Sequence, residues 1–346
     1  MPKTPRLSCS SPVLAIAALA LSLPPLLPVF AADQVIPGSK PLTIEQPLDE
    51  VMVAGIDRFA LRELAASPAR RDQTWPRDFS SAAVYGKSTA PLREKFREHI
   101  GAVDPRAGAT DFELLSTVGR DARVGESDRF TVLAVRWQVL DGLTGEGLLL
   151  QPVGAVKARA VVLPDADWTP EAFAGLTDGV AAQAQLPRRL AANGCQVLVP
   201  MLISRSTELS GSAHVRFTNQ THREFIYRQA FEVGRHVIGY EVQKILAAID
   251  IFTAANARDR SNLPLGVAGV GEGGLLALYS AALDERIDRA LVCGYFQPRE
   301  AAWQEPIDRN VWGLLTHFGD AELAGLVAPR SLTIEACAAP EISGPP

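Results

Sequence analysis

The residues with the clearest capacity for chemistry lie in one glycine-rich turn, Gly269-Val270-Gly271-Glu272-Gly273-Gly274, between the apolar run Leu265–Ala268 and the helix-patterned stretch Gly274–Leu283. A sharp strand-to-helix turn exposes whatever residue stands at its apex. With a serine there and a histidine in reach, such a turn can attack an acyl carbon. This turn holds no serine. Glycine takes the strained backbone of an apex with little penalty, whereas other residues lose about 1–3 kcal/mol. Glu272 is the one reactive side chain in the motif, so one register makes it an atypical acid/base. Another makes Gly271 a vacant apex, with Glu272 contributing its backbone N–H to an oxyanion site.

A second group occupies the long stretch from Met201 to about Tyr227. Arg205, Asn219, His222, Arg223, Glu224, Tyr227 and Arg228 form a polar and aromatic cluster. Arg205, Asn219, Arg223 and Tyr227 could grip an acidic or sugar-like ligand. Alternatively, the same side chains pin a long loop to the body through salt bridges. Asp165 and Asp167, around Ala166 and before Trp168, read as caps of a turn. Neither CxxC pairs nor metal-binding histidine spacing occurs, so we expect no metal and no cofactor. Apart from Cys9 the cysteines are Cys195, Cys293 and Cys337, an odd number in apolar surroundings. That argues for buried free thiols rather than a disulfide scaffold.

These residues need elements to hold them. Asp33 to about Pro105 is polar and helix-patterned, with Ala90–His99 an amphipathic helix stopped by Gly101. Phe112–Val118, Phe130–Leu140 and Gly145–Gln151 are β-rich runs separated by turns, as in an antiparallel meander. Apolar strands at Ala160–Leu163, Gln196–Val199, Leu265–Ala268, Ala290–Cys293 and Ser331–Ile334 then alternate with helical stretches. Those helices are expected near Val180–Asn193, over Ile238–Phe252 and Gly274–Leu283, and within Val311–Leu326. Ile238, Val242, Ile245, Leu246, Ile249 and Phe252 recur at helical spacing and mark one buried face. Apolar strands alternating with helices imply a mostly parallel sheet covered on both sides.

The chain has 346 residues, 47% hydrophobic and 21% charged, with net charge −5. Without a clustered basic face, nucleic acid is excluded as a partner. At the start, Lys3 and Arg6 precede the apolar run Val13–Leu23, then Pro24, Pro25 and Pro28, then Val29-Phe30-Ala31. This is the layout of a secretory signal peptide, and the apolar run falls short of the ~20 residues a membrane span needs. The mature protein is expected to be exported, periplasmic or extracellular, with no integral membrane segment once the leader is cleaved.

Strand, glycine turn and helix, together with Gly234-Arg235 before the Ile238–Phe252 helix and Ala328-Pro329-Arg330 before the last strand, resemble the α/β-hydrolase superfamily. Within it they are most similar to bacterial acetylxylan-esterase-like and dienelactone-hydrolase-like proteins, as is the segment Trp75-Pro76-Arg77-Asp78-Phe79. The resemblance spans most of Asp72 to Glu335. It implies an α/β-hydrolase fold for the core at 111–346, behind the signal peptide at 1–31 and the helical N-terminal extension at 32–110. Family motifs ending in G-x-S-x-G-G set the register, placing Gly271 at the serine position and Glu272 at the N–H position. The Asp165 segment then falls where this fold takes its second oxyanion donor. The resemblance also implies an acid after the strand following Ala-Pro-Arg, where Glu335 or Glu341 stands, and a histidine beyond one further strand. His99, His214, His222, His236 and His317 all lie upstream. His317 is the one considered for the active edge, though it reads more readily as a surface or capping residue. The resemblance thus implies a relative of carboxylic ester hydrolases with degenerate machinery and a core lacking its C-terminal part. The alternatives are a non-catalytic protein binding a small ester, carbohydrate or peptide, or a piece of a longer hydrolase-like chain.

Overall fold

The β-branched runs pair into one nine-stranded sheet ordered β1-β3-β4-β6-β5-β7-β8-β9, with β2 beside β3. The strands are β1 (Glu113–Leu114), β2 (Arg123–Glu126), β3 (Phe130–Leu140), β4 (Leu143–Pro152), β5 (Ala158–Leu163), β6 (Cys195–Pro200), β7 (Leu265–Val270), β8 (Arg289–Cys293) and β9 (Ser331–Glu335). This computed structural model describes residues 37–40, 42–108, 111–210 and 220–337. The leader, His214, Asn219 and Glu341 lie outside the described residues. The chain divides into two units, Met1–Ile56 and Asp57–Pro346. The first contributes a turn at Gly38 and the start of helix α1 (Leu48–Thr74). All that follows concerns the second.

β3 and β4 form an antiparallel hairpin across Asp141-Gly142, where Gly142 has φ +73°. Asp-Gly supplies the positive φ such a tight turn requires. β4 meets β6 antiparallel, and from β6 across to β9 every pairing is parallel. The crossovers are helical: α3 (Pro170–Phe173) and α4 (Leu186–Ala192), then α5 (His222–Glu232) and α6 (Val237–Arg258), then α7 (Glu272–Leu283), then α8 (Asp320–Val327). Helix α2 (Ala82–His99) packs on α7. Adjacent strand residues serve opposite cores: Val161, Leu163 and Leu198 join the one beneath α6 and α7, while Val162, Val197 and Val199 join the other. This is the period-two alternation of a pleated strand buried on both faces.

Helix α6 buries its expected stripe, with Ile238, Val242, Ile245, Leu246, Ile249 and Phe252 all at 1% exposure or less. Every residue of α7 is buried. Four expectations need correction. The run Phe112–Val118 yields only β1 and a bridge from Thr117 to Arg120, and β2 was not foreseen. The helix near Val180–Asn193 shortens to a 3-10 turn, Ala182–Ala184, and α4, with Pro187 in its first turn. Val311–Leu326 splits into a 3-10 turn at Leu314–Thr316 and α8, whose Glu322 carboxylate accepts from the Gly319 N–H. The long loop ends early, because Thr221 Oγ1 accepts from Glu224 N and starts α5 at His222.

Candidate functional site

At the end of β7 the chain turns into α7 through Gly271, whose φ of +58° and ψ of −118° belong to glycine far more readily than to any L side chain. Strand and helix nearly touch behind it. A Cβ on Gly273 would run into the carbonyl groups of Leu163 and Pro164 at the end of β5. The apex therefore keeps a nucleophile elbow's shape and carries no side chain.

The Glu272 backbone N–H, the expected oxyanion donor, donates to Asp165 Oδ2 at 2.9 Å. Asp165 Oδ1 accepts from Asp167 N at 3.2 Å and from Arg205 Nη1 at 2.8 Å. Asp165 thus caps its own turn and also accepts from the Glu272 N–H. The N–H assigned to Glu272 is engaged inside the protein, which corrects its expected role.

The Glu272 side chain is fully buried and paired with Arg223, Oε1 to Nη2, at 2.7 Å. Its Oε2 lies 3.5 Å from Arg205 and 3.8 Å from Arg309. Burial alone would raise its pKa, but Arg223, Arg309, Arg205 and Arg299 outweigh burial and hold it below the ordinary glutamate range. A fully buried carboxylate whose pKa is lowered by surrounding guanidinium groups is poorly placed to act as a proton shuttle. The acid/base alternative for Glu272 is corrected as well.

The ligand-gripping roles of the long loop change similarly. Arg223 is wholly buried, donating to Asp308 Oδ2 at 3.0 Å and to the Ile203 carbonyl at 3.1 Å, with Glu241 3.7 Å away. Tyr227 is buried against Phe231 and His236. Arg205 bridges Asp165 and Asp167. Arg205 and Arg223 thus tie the loop to Asp165 and Glu272, and Tyr227 packs on Phe231 and His236. Asn219 lies outside the described residues.

Gly271 does open onto a cleft of about 610 Å³, shared with Phe296, Gln297, Glu305, Arg309 and Glu335. Phe296 there has φ +114°, a strained conformation for a non-glycine residue. Glu335, the candidate acid, ends β9 in this cleft and accepts from the Cys293 thiol at 3.1 Å. Burial, then the Glu335 carboxylate, pushes that thiol up to about 12. No histidine lines the cleft among the described residues. His317 lines a different cleft, beside His99, with Nδ1 3.3 Å from His99 Nε2. It is not assembled with Gly271, because the turn before α8 carries it elsewhere. His236 caps α6, accepting from Ile238 N at 3.0 Å. Burial depresses its pKa to about 4, so it is neutral and structural.

Sequence reasoning missed the part played by the segment after β8, where Arg299, Glu305, Asp308 and Arg309 supply the other half of the ion network. The only signal was an unusual density of charge in 299–309. No group of described residues is arranged to hold a metal ion.

No protein-family model matches the chain, and no curated protein matches it in sequence. Among solved structures it is similar to a putative acetyl xylan esterase from Bacteroides fragilis, at TM-score 0.54 and 12% identity over 78% of this chain and 73% of that one. A methylesterase follows at TM-score 0.48 and 17% identity, over 80% of this chain and 55% of that one. A glucuronoyl esterase from Solibacter usitatus has TM-score 0.42 and 14% identity, over 72% and 74%. At such identities the likeness concerns the backbone alone. Sheet order, crossovers and the acetyl xylan esterase likeness together define an α/β-hydrolase fold.

Proposed function

We propose that this protein is a relative of carboxylic ester hydrolases whose elbow no longer performs acyl transfer and whose cleft serves non-covalent binding. The observation that carries this reading is the Asp165 carboxylate on the Glu272 N–H, 2.9 Å away, beside an apex without a side chain. Acyl transfer builds negative charge where that N–H should be waiting. Losing one such donor costs about 10²–10³ in rate, and a carboxylate in its place adds repulsion. A nucleophile and an oriented base would also be needed; the described cleft has no serine and no histidine, and its one thiol, Cys337, has no imidazole beside it to activate it. The esterase likeness supports the ancestry, and the retained cleft supports binding. The test is a fluorophosphonate probe and a panel of activated acyl esters. Neither labelling nor turnover above background is expected. Turnover that disappears in Glu272→Gln would overturn the reading.

We also infer export, from the basic leader, apolar run and small residues ending at Ala31. No helix among the described residues is long and apolar enough to cross a membrane. N-terminal sequencing of the protein outside the cytoplasm should start near Ala32. Recovery there with Met1 or Pro2 intact would refute export.

A further inference from the structure

We propose that the cleft beside Gly271 binds a small carboxylate that carries hydroxyl groups, with Arg309 holding the carboxylate. This rests on the non-covalent reading above and names its ligand. Arg309 is 6% exposed and lines the cleft. Its Nε lies 3.0 Å from Glu305 Oε2 and 3.8 Å from Glu272 Oε2, without the alignment of a hydrogen bond. Glu272 directly follows the vacant apex, and Arg309 also borders a second cleft, with Arg299, Trp303 and Asn310. Its two terminal amino groups donate no hydrogen bond to any described residue. The neighbouring buried guanidinium groups, by contrast, have both terminal amino groups engaged: those of Arg223 on the Ile203 carbonyl and Glu272, and those of Arg299 on Glu305 and the Arg309 carbonyl. Within the Arg309 guanidinium only Nε is both buried and without a hydrogen bond, so the two terminal amino groups are open to solvent and to a ligand. The fork's geometry matches the two oxygens of a carboxylate.

The remaining lining selects the rest of the ligand. Glu305 cannot serve it, because Oε1 accepts from Gln297 and Oε2 faces Arg299 and Arg309. Glu335 has one oxygen engaged by the Cys293 thiol and is otherwise exposed. The Gln297 side-chain carbonyl accepts nothing among the described residues, its amide nitrogen being used on Glu305. The far side of the cleft therefore offers acceptors, one of them uncharged. Hydroxyl groups can donate to both, as can an ammonium group, and the titration with γ-aminobutyrate separates the two. Phe296 supplies an apolar wall.

The experiment is calorimetric titration of the whole protein with gluconate, its neutral amide gluconamide, and γ-aminobutyrate. Gluconate should bind at least tenfold more tightly than the other two. Arg309→Gln should lose that binding by tenfold or more. Arg309→Lys, which keeps the charge and loses the fork, should fall between. Glu335→Gln should retain the carboxylate preference. Melting curves of each variant separate loss of the fork from loss of the fold, and Arg309→Lys carries the test if Arg309→Gln unfolds. Equal binding of gluconamide, a preference for γ-aminobutyrate, no binding of gluconate by folded protein, or undiminished binding by folded Arg309→Gln would each overturn the proposal. Ester turnover would instead overturn the non-covalent reading, so the two failures are distinguishable.

Discussion

Arg223 and Glu272 meet side chain to side chain at 2.7 Å, and neither has any solvent exposure. One comes from the first turn of α5 and the other from the first turn of α7, so the contact fastens the end of the long loop to the elbow. Asp308 and Glu241 approach the same guanidinium from the far side. Burial works against the charge on Arg223, and these three carboxylates more than offset it.

Removing one partner leaves the other charge buried and uncompensated. Arg223→Met should therefore cost about 3–5 kcal/mol in chemical denaturation. The double variant Arg223→Met/Glu272→Leu should lose clearly less than the two single losses added together. Additive losses would mean that the pair does not interact as described.

Serine at the apex should not create an esterase. Gly271→Ser must take φ +58°, which costs roughly 1–3 kcal/mol. It would face an N–H already held by Asp165. We expect a lower melting temperature and no labelling by a fluorophosphonate. Adding Asp165→Asn should not restore turnover either, since no histidine lines the described cleft.

His236 gives a signed dependence on pH. Its pKa is about 4 when folded, against an ordinary value of 6.5, because burial disfavours the imidazolium. The unfolded chain takes up the proton first as pH falls. Stability from this group is therefore complete above pH 6.5 and lost between there and about pH 4, on the order of 3 kcal/mol in all. His236→Asn retains a cap acceptor for Ile238 and should flatten the pH profile over that window. Matching profiles for the two proteins would contradict the assignment.

The thiols should differ in reactivity. Cys337 is exposed, Cys195 half-buried and Cys293 buried with its pKa pushed to about 12. A disulfide reagent at pH 8 should modify Cys337 first and Cys293 only on unfolding. Unreduced peptides should contain no Cys293–Cys337 link.

Ile245, wholly buried in α6, should cost about 2–5 kcal/mol on truncation to alanine. A loss under about 0.5 kcal/mol would indicate an exposed face.

How far the sequence reached follows from the reach of each interaction. The stripe on α6, the parallel strands and the turn at Gly271 depend on nearest neighbours and on local backbone sterics, so they were readable from spacing. Arg223 was visible as a polar residue near the right edge of the sheet. Whether it faced ligand or protein depended on Asp308, 85 residues away, and Glu272, 49 residues away. Asp165 was likewise readable as a turn cap, yet its second oxygen crosses 107 residues to Glu272. Charge pairing over such distances leaves no periodicity in the chain. His317, which reads from the sequence more readily as a surface or capping residue than as a member of the active edge, stands beside His99 in a separate cleft.

Because all twelve residues of α7 are buried, no part of that helix can fray into water while its neighbours stay in place. Its amide hydrogens should therefore be among the slowest in the protein to exchange with solvent. Gly271 is the residue that starts this helix. The conformation of the apex is therefore as persistent as the fold, and a ligand entering the cleft meets a surface that is already set.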